Sequence, residues 1–161
     1  ACLLHKPRLL LLDEPTAGVD PKARRDFWDE IHTLAAGGLT FLITTHYMDE
    51  AERCDRLAYI SYGNLLVDGT VAEVVDKAGL ATWALEGAEA LSFADTLRVM
   101  PGVQQVAAFG KRLHVSGGDA VKLGETVAAF HPPGCEWKRV RSGLEDVFIH
   151  LMGTSEDNFA Q

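Results

Sequence analysis

Two short apolar runs near the start of the chain each end in polar residues that can carry chemistry. Residues 9–12 are four leucines followed at once by Asp13 and Glu14, and the run 39–45 is followed by His46. Unbroken apolar runs of this length are typical of strands buried on both faces, as in a parallel sheet. Because such sheets bind ligands at the carboxyl ends of their strands, we expect the three side chains along one edge.

A segment with helical period separates the two runs. Asp20 can cap a helix that has Pro21 at its first position, and Gly37 and Gly38 can end it. Strand, helix and strand together predict one right-handed βαβ unit. The apolar side chains at helical spacing are Phe27, Trp28, Ile31, Leu34 and Ala35.

A short helix is expected at 48–54, directly after the second run. It carries three acidic residues, two of which favour the positive N-terminal end of the helix. We interpret this acidic cluster as a solvated helix face rather than a metal site. The cluster consists of Asp49, Glu50 and Glu52.

The second half of the chain has a different pattern. A hairpin turning at 63–64 is followed by a capping box at 70–73, which opens a helix that Gly79 ends. From Ala81 onward the predicted order is βαββαβ, the ferredoxin-like arrangement. A second capping box at 142–145 precedes a last helix. The predicted strands are 82–85, 103–109, 112–116 and 135–140, and the predicted helices are 88–99 and 119–130.

Composition narrows the class of protein. The chain has 161 residues, a formal net charge of −8 and a pI near 5.1, which argues against nucleic-acid binding because that relies on Lys and Arg. The 3 cysteines are far apart, so they favour reduced thiols over a disulfide framework or a zinc site. No apolar run approaches the ~20 residues of a membrane span, which predicts a soluble chain.

The residues at the predicted sheet edge suit phosphoryl chemistry. Asp13 offers the hard oxygen that Mg²⁺ prefers, usually through a bound water. Neighbouring side chains on an extended chain point to opposite sides, so Glu14 is free to activate or orient an attacking water. His46 could donate to the γ-phosphate as negative charge shifts there. The simpler alternative is that the acidic pair and His46 merely end two strands before turns.

Four sequence segments favour the interpretation of these residues as a catalytic site. LLLLDEPTAGVD resembles the Walker B strand, catalytic glutamate and D-loop of the ATP-binding subunits of ABC transporters, and LITTHYMDEAERCDRLAYI resembles their H-loop region. GNLLVDGTVAEVV is similar to the hairpin and helix that follow, especially in the branch paired with multidrug-type export permeases. GLEDVFIHLMG resembles the segment with which such exporter ATPases often end.

The resemblance implies a role for each matching residue. Asp13 becomes the magnesium aspartate, Glu14 the catalytic glutamate, Asp20 the D-loop aspartate that communicates across a dimer, and His46 the γ-phosphate sensor. ATP and Mg²⁺ are the implied cofactors. The implied partners are a second ATP-binding subunit and a membrane permease, which would hold the protein at the inner, cytoplasmic face of the cell membrane. The other histidines, assigned to no site, are His5, His32, His114, His131 and His150.

Two motifs of the family are missing from the sequence. No G-x-x-x-x-G-K-[ST] is present to hold the β- and γ-phosphates, and no LSGGQ-like signature precedes the Walker B strand. VSGGD at 115–119 lies downstream of His46, so we interpret it as a turn. Residues 1–5 resemble the end of the helix that normally follows the signature.

These observations together predict a C-terminal part of an ABC ATPase. The fold class is expected to be α/β, with a partial P-loop NTPase parallel sheet, βαβ plus hairpin, in residues 1–78. A small ferredoxin-like α+β accessory domain is expected at 79–153 and a flexible tail at 154–161. We expect the parent protein to couple ATP hydrolysis to export and the isolated chain to be inactive. The alternative is a non-catalytic interaction or regulatory module.

Overall fold

The structure, a computed structural model, describes Leu3 and residues 6–154. The chain is mixed α/β with small sheets, and it forms two compact units that divide between Arg53 and Cys54. We call them the N-terminal and the C-terminal unit. The remainder of the predicted helix end at 1–5 and the tail from residue 155 lie outside the described residues. The predicted domain boundary at residue 78, which concerns membership of an ATPase domain, stays a prediction.

The N-terminal unit contains the predicted strand, helix and strand. Strands β1 (Leu9–Asp13) and β2 (Thr40–Thr44) pair in parallel, and the register runs from Leu9 opposite Thr40 to Asp13 opposite Thr44. Helix α1 (Pro21–Ala36) connects them, and a short helix α2 (Met48–Ala51) follows. The parallel βαβ pairing predicted from the two apolar runs is therefore confirmed.

The expectation that both faces of this sheet are buried is wrong. Leu9, Leu11 and Leu42 are 52%, 65% and 63% exposed, whereas the alternate positions Leu10 and Phe41 are half-buried. Partners in the register project from the same face, so these three leucines share one open face with Thr40, Asp13 and Thr44. One crossover helix can cover only one face of a two-stranded sheet, which the unbroken run of leucines does not reveal.

The C-terminal unit begins with a hairpin of β3 (Leu57–Ser61) and β4 (Asn64–Gly69). Its turn is Tyr62 and Gly63, both at positive φ (48° and 78°), one residue earlier than predicted. Helix α3 (Val71–Ala78) follows with the predicted capping box, in which Thr70 and Glu73 satisfy each other's backbone N–H, and with Gly79 as its left-handed C-cap.

The predicted βαββαβ order is observed after residue 80. One antiparallel sheet is formed by β5 (Ala81–Gly87), β6 (Gln105–Phe109), β7 (Arg112–Gly117) and β8 (Cys135–Val140), in the order β6-β7-β5-β8. The helix predicted at 88–99 is instead a 3₁₀ turn (Ala90–Phe93) followed by a short α-helix. The helices of this part are α4 (Ala94–Arg98), α5 (Ala120–Ala129) and α6 (Leu144–Thr154).

The main buried apolar cluster of this unit lies on one face of the sheet. Side chains from β5 and β7 meet those of the 3₁₀ turn, α4 and α5 there. The segment VSGGD is mostly strand, because Val115 to Gly117 end β7 and only the last two residues lie beyond it. The prediction that this segment is a turn is therefore wrong for its first three residues. The buried cluster consists of Leu85, Ala90, Leu97, Leu113, Val115 and Leu123.

The start of α6 differs from the predicted capping box. The Ser142 hydroxyl donates to Leu80 O (2.9 Å), whereas the carboxylate of Asp146 accepts the Gly143 N–H (2.8 Å). Only one half of a capping box is thus present, shifted by one residue, because Gly143 has no side chain and the Ser142 hydroxyl bonds to Leu80 O. Asp146 also contacts Nδ1 of His114 (3.1 Å). None of the helices within the described residues is long and apolar enough to cross a membrane.

Candidate functional site

The carboxyl ends of β1 and β2 bring the predicted chemical residues together. Asp13 is the last residue of β1 and lies opposite Thr44, the last residue of β2. The Thr44 hydroxyl donates to Oδ1 of Asp13. This bond orients a carboxylate that is otherwise exposed at the sheet edge.

Glu14 does not continue the strand. Its backbone lies in the left-handed region at φ 42°, and its N–H donates to the carbonyl oxygen (3.0 Å) and the hydroxyl (3.1 Å) of Thr44. Asp13 and Glu14 were expected to point apart on an extended chain, but the backbone turns at Glu14 instead. Non-glycine residues in this region are uncommon and concentrate at functional sites.

The turn brings Glu14 to His46. Nδ1 of His46 lies 3.1 Å from Oε1 of Glu14, and the two side chains are 58% and 50% exposed. The imidazole also stacks on Tyr47, with 4.1 Å between ring centroids. A carboxylate and an imidazole in contact at an accessible edge can together orient a water and move its proton.

Asp20 has a local structural function that the sequence predicted. Its Oδ1 accepts the N–H groups of Lys22 (3.0 Å) and Ala23 (3.1 Å), which makes it the N-cap of α1. These backbone donors would otherwise lack an intrahelical partner. The cap fixes where α1 begins after the turn that carries Glu14.

Glu50 is a buried residue of the site that the sequence pattern did not predict. The solvated face expected of the acidic cluster holds for Asp49 and Glu52, but Glu50 is only 1% exposed. Its carboxylate accepts the hydroxyls of Thr16 and Thr45, the latter at 2.7 Å. A four-residue helix is too short to show an amphipathic period, so no signal separated Glu50 from its neighbours.

The environment of Glu50 keeps it ionised. Burial raises the pKa of the Glu50 carboxyl, but the hydrogen bonds from Thr16 and Thr45 and the charge of Arg24 together hold it below its ordinary value of 4.5. Nε of Arg24 lies 3.6 Å from Oε1 of Glu50. The site therefore contains a buried carboxylate whose hydrogen bonds are satisfied, which is the condition for burying such a charge.

The donor set at the edge suits a hydrated hard cation. In the described part of the chain no three His, Cys, Asp or Glu side chains are grouped to hold a metal ion. Mg²⁺ in nucleotide sites keeps several waters and takes one or two carboxylates together with phosphate oxygens, a need that Asp13 can meet.

Of the unassigned histidines, His32 contacts Arg53 O (3.2 Å) and His114 contacts Asp146.

Comparisons with known proteins extend over nearly the whole chain. It is 35% identical over 160 residues to the Nod factor export ATP-binding protein I of Burkholderia orbicola, covering 94% of this chain and 49% of that protein. It is 34% identical over 160 residues to a daunorubicin resistance ATP-binding protein of Streptomyces coeruleorubidus, covering 95% and 50%.

A shorter match has a higher identity. Over 71 residues, 44% of this chain and 12% of the relative, the identity to a probable multidrug ABC transporter ATP-binding protein of Escherichia coli (strain K12) is 52%. No protein-family model matches the chain. The chain spans about half the length of the relatives that it matches from end to end.

Proposed function

As the chain belongs to the ATP-binding proteins of ABC transporters, we propose that it supplies the hydrolytic edge of a subunit that couples ATP hydrolysis to export across a membrane. The observation that carries this proposal is the 3.1 Å contact between Glu14 and His46 at the carboxyl ends of two parallel strands. Ligands of open α/β sheets bind at this edge.

Each residue of the edge has a distinct part in the proposal. Glu14 accepts a proton from the attacking water or orients it, and His46 places an N–H donor where negative charge develops on the γ-phosphate. Asp13 holds Mg²⁺, through water, and the ion supplies charge neutralisation at the phosphates. The bond from Thr44 keeps the Asp13 carboxylate turned toward the edge.

We propose further that these residues act within a longer subunit. The sequence has no phosphate-binding loop, and it spans about half of the relatives that match it from end to end. Phosphoryl transfer depends almost wholly on positioning and electrostatics, which require such a loop. The proposed partners are a second ATP-binding subunit, which Asp20 would contact, and a membrane permease at the inner face of the membrane.

The proposal specifies no exported compound. The relatives are named for Nod factor export, daunorubicin resistance and multidrug transport, which are chemically different cargoes. The ferredoxin-like assignment of residues 79–153 as an accessory domain belongs to the same proposal and is supported by their antiparallel sheet order. The alternative function, a non-catalytic interaction or regulatory module, is favoured by the missing phosphate loop alone.

Replacing Glu14 tests the hydrolytic assignment. In a subunit that carries this sequence together with a phosphate-binding loop, Glu14→Gln keeps the shape of the side chain and removes the basic oxygen. We expect ATP to bind and persist while kcat falls roughly 10²- to 10⁴-fold. His46→Ala should also slow turnover. Glu30→Gln, at an exposed position of α1, is the matched control. Normal hydrolysis in Glu14→Gln would exclude Glu14 from the mechanism.

A further inference from the structure

The two members of the hydrolytic pair lie on different loops. Glu14 begins the loop after β1, and Thr16 follows two residues later. His46 lies in the loop after β2, directly behind Thr45. Holding the two loops together is therefore a condition for the contact between Glu14 and His46.

Glu50 joins these loops through its two oxygens. Oε1 accepts the hydroxyl of Thr16 from the first loop, and Oε2 accepts the hydroxyl of Thr45 from the second at 2.7 Å. Thr16 and Glu50 are each only 1% exposed, so water does not compete for the hydrogen bond between them. The Thr45 hydroxyl in turn accepts the Tyr47 N–H (3.1 Å), which fixes the backbone on both sides of His46.

A second connection runs from Glu50 through side chains to the imidazole. The guanidinium of Arg24 pairs with Glu50 and lies 4.3 Å above the ring of Tyr47. That ring stacks on His46 with an interplanar angle of 36°. The same carboxylate thus orders both the backbone and the ring plane of His46, with Arg24 supplying the compensating charge.

We infer that Glu50 is a positioning residue for the hydrolytic pair: it clamps the loop after β1 to the loop after β2 and thereby sets the contact of Glu14 with His46. This inference rests on the proposed function of that pair. Because catalytic groups act only in near-attack geometry, loosening the clamp should reduce turnover without removing any group that contacts nucleotide.

Kinetics of matched variants test the clamp. In the subunit that carries this sequence and a phosphate-binding loop, Glu50→Gln should lower kcat roughly 10- to 100-fold and leave the KM for ATP unchanged. Glu52→Gln, an exposed acidic neighbour, should leave both unchanged. Thr16→Val should reproduce the fall in kcat. Thr16→Ser, which retains the hydroxyl, should keep the turnover of wild type. If the Thr16 hydroxyl served folding alone, Thr16→Val would give less folded protein, but that protein would have the kcat and KM of wild type. This result would count against the clamp.

A readout that needs no ATP separates this inference from the proposed function. Side-chain NMR of His46 in the same subunit reports its contact with Glu14, so Glu14→Gln should move the imidazole resonances. Glu50→Gln, Thr16→Val and Thr45→Val should move them too, and Glu52→Gln should not. If Glu50→Gln fails to fold, the two threonine variants decide.

Two combinations of results distinguish the positioning role of Glu50 from the proposed hydrolytic function. Normal turnover in Glu14→Gln, with imidazole resonances that still respond to Glu50→Gln or to the threonine variants, would reject the hydrolytic function and leave Glu50 as the clamp. Lost turnover in Glu14→Gln, with unchanged kcat and unchanged imidazole resonances in Thr16→Val and Thr45→Val, would overturn the positioning assignment while the hydrolytic function stands.

Discussion

Nδ1 of His46 lies 3.1 Å from Oε1 of Glu14, across the ends of two parallel strands that place Asp13 opposite Thr44. The contact depends on the left-handed backbone of Glu14, which turns its side chain out of the strand. Both side chains are about half exposed, so water can reach the pair from solvent. The described residues bring this pair to an exposed edge, and the sequence has no G-x-x-x-x-G-K-[ST] loop to cradle phosphates.

That missing cradle leads to the first prediction. The 161-residue chain by itself should neither bind ATP tightly nor hydrolyse it, because no loop or lysine holds the β- and γ-phosphates. Calorimetric titration with Mg²⁺-ATP and a phosphate-release assay measure both properties. Turnover by the purified chain that disappears in Glu14→Gln would contradict the prediction.

Asp20 should contribute to stability through its cap. Asp20→Ala removes the acceptor for two backbone N–H groups and should destabilise α1 by about 1 kcal/mol. Asp20→Asn keeps a capping oxygen and should remain close to wild type. Hydrogen exchange at the amides of Lys22 and Ala23, together with urea unfolding, measures the effect.

Asp26→Ala is the control for the cap, since Asp26 is an exposed residue inside the same helix. Equal losses in Asp20→Ala and Asp26→Ala would mean that the cap contributes nothing beyond the removal of a charge. Because Asp20→Asn preserves the helix, it is also the variant with which to examine the proposed contact across a dimer.

The stability of the N-terminal unit should depend on the charge of Glu50. The pKa of its carboxyl is lowered, since the hydrogen bonds from Thr16 and Thr45 and the charge of Arg24 outweigh burial. The folded state therefore binds this proton more weakly than the unfolded state does. Its stabilising contribution is complete above the ordinary pKa of 4.5 and is lost as the pH falls through the lowered value.

Glu50→Gln removes this titration. The difference in free energy of unfolding between wild type and Glu50→Gln should shrink as the pH falls from about 6 to about 3. Urea titrations at several pH values measure it, with Glu52→Gln as the exposed control. A difference of constant size across this range would show that the Glu50 charge does not stabilise the unit.

The leucines exposed on the open face of β1 and β2 should make the isolated chain self-associate. A sheet of two strands is marginal alone, and three exposed leucines favour association. Replacing Leu11 and Leu42 by Thr should lower the association measured by sedimentation. Val99→Thr, at a residue 85% exposed in the C-terminal unit, should not. Hydrogen exchange should also be faster in β1 than in β6; better protection of β1 in the monomer would refute the prediction.

Local signals in the sequence determined the elements and most of the site. Asp20 caps the start of α1 and Gly37 caps its end. The capping box of Thr70 and Glu73 begins α3. Such caps can be predicted because they act between residues a few positions apart. The apolar runs predicted the strands because this pattern, too, lies within a few neighbouring residues. Since parallel strands share a carboxyl edge, the meeting of Asp13, Glu14 and His46 was also predictable.

Only the tertiary structure decided which of these side chains are buried and how they are held. Leu11 is exposed and Glu50 is buried, each against its local pattern, because burial depends on which elements cover a residue. The left-handed turn at Glu14 and the bridge from Thr16 through Glu50 to Thr45 join positions far apart in the chain. No local period encodes such a contact, since it forms only once β1 and β2 pair and bring their loops together.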